Sequence, residues 1–111
     1  ITTFGGVADD AALGVAASLE QASEHPLAQA VVAAARARGL PLSGVTAFRA
    51  VPGHGIEGEI AGSAVALGNP AMMTAAAIDI EDAQARANGL RREGQTVVYL
   101  AWNRRLVALL G

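Results

Sequence analysis

The stretch from Ile56 to Leu67, IEGEIAGSAVAL, constrains the fold more than any other part of the chain. Apolar and acidic residues alternate up to Ala61, Gly62-Ser63 interrupts them, and an apolar run follows. Side chains along a strand point to opposite faces in turn, so this pattern predicts strand, turn, strand. A connection that short joins antiparallel neighbours only, because a parallel crossover needs a dozen or more residues. The same reasoning predicts a closing hairpin from Thr96–Trp102, through Asn103-Arg104-Arg105, into Leu106–Leu110. Val45–Val51 also alternates and is broken by Pro52-Gly53-His54-Gly55. Ile1–Phe4 reads as a short strand stopped by Gly5-Gly6.

Helical signals fill the intervals. From Asp9 to Gln21, Leu13, Ala16, Ala17 and Glu20 recur at helical spacing, with Asp9 and Asp10 in the first turn, where the helix dipole favours acids. A second helix follows with Pro26 in its first turn, where the missing N–H costs little. Its expected apolar stripe is Leu27, Ala30, Val31 and Ala34, and Gly39 with Pro41 ends it. Gly68-Asn69-Pro70 punctuates the chain before the short helical run AMMTAAA, and Glu81–Glu93 reads as a polar-faced helix with Gly94 beyond it. The fold class is α+β: an antiparallel sheet of about six strands flanked by a helical hairpin and one or two further helices. Residues 1–111 form one domain, a length that buries a core without staples.

Composition removes several chemistries. Hydrophobic residues make up 52% and charged residues 16%, the balance of an ordered globule. All eight basic residues are arginine, which excludes a phosphate-loop lysine and a Schiff-base lysine. Net charge is −2, against a general nucleic-acid footprint. With no cysteine there are no disulfides, thiolate zinc sites or cysteine nucleophiles. The last apolar stretch is divided by Arg104 and Arg105 into pieces far shorter than the roughly 20 residues of a spanning helix.

Glu20 and His25 flank the turn between the first two helices. Singly, each has an ordinary reading, a solvated helix residue and a histidine bonded to backbone. Together they bring a carboxylate and an imidazole to one mouth. A carboxylate accepts the adenine amino group and repels the guanine carbonyl, while an imidazole stacks on a base or bonds to it. Gly53-His54-Gly55 gives room for close approach of a ligand, or serves an ordinary turn. Asn69 is accounted for as a helix cap without any ligand. His25 and His54 have no zinc spacing, and no serine lies in a nucleophile elbow. No metal-binding or catalytic residue is assigned.

Read in order, these segments become specific. Glu20, Ser23-Glu24-His25-Pro26-Leu27, Gly53-His54-Gly55-Ile56-Glu57-Gly58, Leu67-Gly68-Asn69-Pro70 and Gly94-Gln95-Thr96-Val97-Val98 follow one another along the chain. The series resembles the nucleotide-binding (N) domain of heavy-metal-transporting P-type ATPases, the P-IB subfamily that includes the copper pumps. The likeness runs from about Leu13 to the end. It implies that Glu20 and His25 hold adenine, that Gly53, Gly55 and Ile56 line the ribose and phosphate side, and that Gly68 and Asn69 close the pocket. His54 stands at the family's variable position between the glycines, and no role passes to it.

The resemblance further implies ATP as ligand, with Mg²⁺ held mainly by a phosphorylation domain absent from this sequence. The family's D-K-T-G-T, T-G-D and G-D-G-x-N-D motifs are not in the chain. The expectation is therefore an excised domain, a monomer that binds ATP and releases ADP without hydrolysing it. Its partners are the phosphorylation and actuator domains of the same pump, it does not itself enter the membrane, and it lies on the cytoplasmic side. The intact protein is expected to export heavy-metal ions, copper before zinc or cadmium. Without lysine, phosphates rely on backbone N–H groups or an arginine, so the expected affinity is micromolar to millimolar, roughly −8 to −4 kcal/mol. Two rivals differ in class. A free-standing α+β module for another small ligand or a protein shows no localised response to ATP. A small hydrolase built on His25 and Glu20 releases phosphate from it.

Overall fold

Tight turns close the sheet into neighbouring hairpins, as the alternating runs predict. The computed structural model describes residues 1–23 and 26–110, with backbone alone at 26 and 27. Its strands are β1 (Thr2–Thr3), β2 (Thr46–Val51), β3 (Gly55–Ile60), β4 (Ser63–Gly68), β5 (Val98–Trp102) and β6 (Arg105–Leu110). They form one six-stranded antiparallel sheet in the order β1-β6-β5-β4-β3-β2. Both short turns differ by a residue from expectation. Ile60 pairs with Ser63, so the first turn is Ala61-Gly62, at φ 50° and 81°. Trp102 pairs with Arg105, so the second is Asn103-Arg104, at φ 55° and 65°. Two consecutive left-handed residues match the right-handed twist of the strands they join, which selects two-residue turns over the longer ones.

The helices are α1 (Asp9–Glu20), α2 (Pro26–Ala37), α3 (Pro70–Ala75) and α4 (Gln84–Arg92). The helix expected from Glu81 begins as a 3-10 turn, Glu81–Ala83, before α4, and Gly94 follows it at φ 82°. The pleat of β5 shows how the layers stack. Leu100 faces α1, in a cluster with Ala12, Ala16, Leu19, Val65 and Leu67. Its neighbour Tyr99 faces the other way, toward Met72, Met73, Ala87 and Leu90 of α3 and α4. The sheet is therefore covered on both faces, and residues from both layers are fully buried.

One expectation about α2 needs correction. The buried positions are Ala28 and Ala35, with Val31 and Val32 packed beside Leu13 and Ala17 of α1, whereas Ala30 and Ala34 are exposed. The apolar stripe is rotated by about one residue from the predicted one. Alanine occupies so many positions around this helix that periodicity does not select a face, and packing against α1 decides it.

Two contacts seat α1. Gly58 of β3 lies beneath it, and a Cβ there would sit 2.7 Å from a Val45 methyl and 3.2 Å from a Leu19 methyl. The absent side chain lets helix and strand approach closely. Ser18, buried in α1, donates to the Gly14 carbonyl at 2.7 Å and accepts the Ser43 N–H at 2.9 Å. Gln21 donates to the Ser43 carbonyl at 2.7 Å. The segment between α2 and β2 is thereby tied to the end of α1.

Candidate functional site

The β2–β3 turn and the β4–α3 junction meet at one end of the sheet. Gly55 opens β3 opposite Gly68, the last residue of β4. A Cβ on Gly55 would overlap the Leu67 carbonyl, and one on Gly68 would overlap the His54 carbonyl. Both glycines are thus required by contact of chain on chain, which accounts for them without a ligand. Gly53 is different. Its φ is 74° and the space beyond its Cα is open, so it supplies a left-handed turn.

Asn69 braces the junction. Its Nδ2 donates to the Gly53 carbonyl at 2.7 Å, and its Oδ1 accepts the Met72 N–H at 3.0 Å as the cap of α3. Its backbone N–H donates to the His54 carbonyl at 2.9 Å. The predicted cap is present, and the same side chain also fixes the neighbouring turn.

Beside the junction lies a cleft of about 780 Å³ between the helical hairpin and the end of the sheet. This is within the range of small-molecule sites. Glu20, Gly53, Gly55, Ile56, Gly68 and Asn69 all line it. Forty-odd residues separate the first of these from the last in sequence, and the sheet topology gathers them. Predicted His25, with Glu24, lies outside the described residues. Val31, Ile56, Val98 and Leu110 supply apolar wall, and Ser23, His54, Gln95 and Thr96 add polar groups. Among the described lining residues Glu20 carries the one formal charge, and no arginine is present.

Val31 and Leu110 are not legible as site residues from the sequence. Each looks like an ordinary core residue, and only strand pairing and the hairpin's docking leave them partly open. Gln95, Thr96, Val97 and Val98 carry a signal, since they belong to the motif series, but the resemblance attaches no role to them. Among the described residues no three His, Asp or Glu side chains are grouped to hold a metal ion. No described helix is long and apolar enough to cross a membrane.

Comparison with known proteins decides the ancestry. The chain is 43% identical over 110 residues to a copper-transporting P-type ATPase of Rhizobium leguminosarum bv. viciae, an alignment covering 99% of the chain and 13% of that protein. Over nearly its whole length the chain is related to one segment of the heavy-metal P-type ATPases. A silver exporting P-type ATPase of Salmonella typhimurium is 40% identical over 98 residues, covering 88% of the chain and 12% of the relative. The fold matches a zinc-transporting PIB-type ATPase with a TM-score of 0.82 at 30% identity, over 98% of this chain and 18% of that one. It also matches the N-domain of HMA8, a copper-transporting P-type ATPase, with a TM-score of 0.81. That likeness spans 100% of this chain and 95% of the other at 24% identity, and shows a shared fold. No protein-family model matches the chain. The chain spans only about an eighth of the length of the curated relatives it matches (13% and 12%).

Proposed function

We propose that this chain binds ATP in the cleft beside Asn69 and presents it to the phosphorylation domain of a metal-exporting P-type ATPase. One observation carries the reading: Glu20, Gly53, Gly55, Ile56, Gly68 and Asn69, drawn from separate segments, line a single cleft. Its apolar walls suit a purine face, and Glu20 suits the adenine amino group. His25 is assigned beside Glu20 as the second adenine contact, from the motif. With no arginine among the described lining residues, the phosphates are not clamped and project toward solvent and the partner domain. Mg²⁺ accompanies them and is held mainly by that domain.

In the intact pump, hinge closure brings the γ-phosphate to an aspartate of the phosphorylation domain. The carboxylate attacks phosphorus, the bond to the β-phosphate oxygen breaks, and ADP leaves with this domain. The actuator domain completes the cycle that moves the metal. Copper is the proposed cargo, because relatives such as the Rhizobium and Legionella proteins are named as copper pumps. The chain is assigned to the cytoplasmic side of that membrane protein, as a unit that binds ATP without hydrolysing it.

Calorimetric titration tests this directly. The chain should bind ATP with a micromolar to millimolar constant, bind GTP more weakly, and release no phosphate. Glu20→Ala and His25→Gln should each weaken ATP by about tenfold, because hydrogen bonds to charged or desolvated groups contribute on the order of 1.5 kcal/mol. Both variants should keep the wild-type circular dichroism spectrum. Equal binding of ATP and GTP, unaffected by either substitution, would contradict the assignment. An unfolded His25→Gln domain would make that histidine structural.

A further inference from the structure

The geometry points to His54 as a residue that reads the sugar of the bound nucleotide, by accepting a hydrogen bond from a ribose hydroxyl at Nε2. The inference rests on the ATP reading above and adds to it a contact at a position where the family motif varies. His54 lines the cleft and is half-buried. Its Nδ1 lies 3.2 Å from the Pro52 carbonyl. A carbonyl oxygen only accepts, so this bond requires the proton on Nδ1. In the neutral ring that leaves Nε2 with its lone pair, an acceptor without a partner among the described residues.

Three backbone groups of the turn are already engaged. The His54 N–H donates to the Val51 carbonyl at 3.0 Å, the His54 carbonyl accepts from Asn69, and the Gly53 carbonyl accepts the Asn69 amide. Nε2 is therefore the side-chain atom with which this turn can add a polar contact to a ligand. Position selects the sugar. Glu20 ends α1, whose Leu19 sits over Gly58 of β3, and His54 lies in the turn that precedes β3, so the two line the cleft from different elements. A purine held by its amino group at Glu20 carries its sugar on the opposite side, toward the turn that holds His54. A neutral acceptor there suits a hydroxyl, which donates, and does not suit a phosphate oxygen, which does not.

The test compares ATP, 2′-deoxy-ATP and 3′-deoxy-ATP by calorimetric titration at pH 8 on the wild-type chain and on His54→Phe. Phenylalanine keeps the ring and removes Nε2, and Asn69 still braces the backbone of the turn. The wild type should bind ATP about threefold to tenfold more tightly than at least one deoxy analogue, the range of one neutral hydrogen bond. In His54→Phe that ratio should fall to about one while the preference for ATP over GTP persists. Equal binding of ATP and both deoxy analogues by the wild type would overturn the inference, as would a ratio that survives in His54→Phe. Either result leaves the ATP assignment standing. No adenine preference in the wild type would remove that assignment and this inference together.

Discussion

Asn69 shows how much one side chain can fix. It caps α3 through Met72 and holds the Gly53 carbonyl of the neighbouring turn, so its removal takes away two hydrogen bonds at once. Asn69→Ala should lower stability by about 1–2 kcal/mol. Urea unfolding followed by the fluorescence of Trp102, the one tryptophan, measures it. Asn69→Asp keeps the cap but sets a carboxylate against the Gly53 carbonyl, and should weaken ATP binding more than it weakens the fold. Ser18 is a second such residue. Ser18→Ala leaves the Ser43 N–H without its acceptor and should cost about 1–2 kcal/mol by the same assay. The cap at Asn69 was legible because Asn-Pro before an apolar run has a local meaning. Ser18 was not, since its partner lies 25 residues away and a serine within a helix carries no sign of it. The reason for Gly55 and Gly68 was equally hidden, because each answers to a carbonyl of the other's segment.

Among the elements, α1 matters most to the site, since it ends at Glu20 and rests on β3 at Gly58. Gly58→Val places methyl groups where Leu19 and Val45 now meet. It should destabilise the domain by about 1–3 kcal/mol, as overpacking does, and displace Glu20 enough to reduce the ATP over GTP preference. Arg38→Ala is the contrast. Its ion pair with Asp10 at 2.9 Å joins the two helices, but both side chains are more than half exposed, at 52% and 61%. Its loss should change the unfolding free energy in urea by less than about 1 kcal/mol. Strands and their pairing into hairpins were the most legible elements, because alternation is a local property, whereas Ala61 and Arg104 give no sign of the left-handed turns they enter. The orientation of α2 was the least legible, because alanine on every side gives packing partners the decision.

At the scale of the whole molecule, the antiparallel sheet is covered by α1 and α2 on one face and by α3 and α4 on the other. The cleft opens where the helical hairpin meets the strand ends. A ligand there touches both the hairpin and the β2–β3 turn, and so binds the folded state alone. ATP at ten times its dissociation constant should add about 1.4 kcal/mol of stability and raise Tm by several degrees, with a smaller shift for GTP. Glu20→Ala should remove most of the ATP shift. The gathering of Glu20, Gly53 and Asn69 was anticipated from the order of the motifs through family resemblance. Spacing alone did not require it, since only the strand order brings the end of β4 beside the start of β3.

An amide-resolved NMR titration of the chain with ATP, AMP and GTP, each with and without Mg²⁺, tests the central claim most directly. The cleft predicts localised shifts at Glu20, His25, Gly53, Gly55 and Asn69, larger for ATP and AMP than for GTP and insensitive to Mg²⁺. Shifts that are absent there, or equal for adenine and guanine nucleotides, would contradict it.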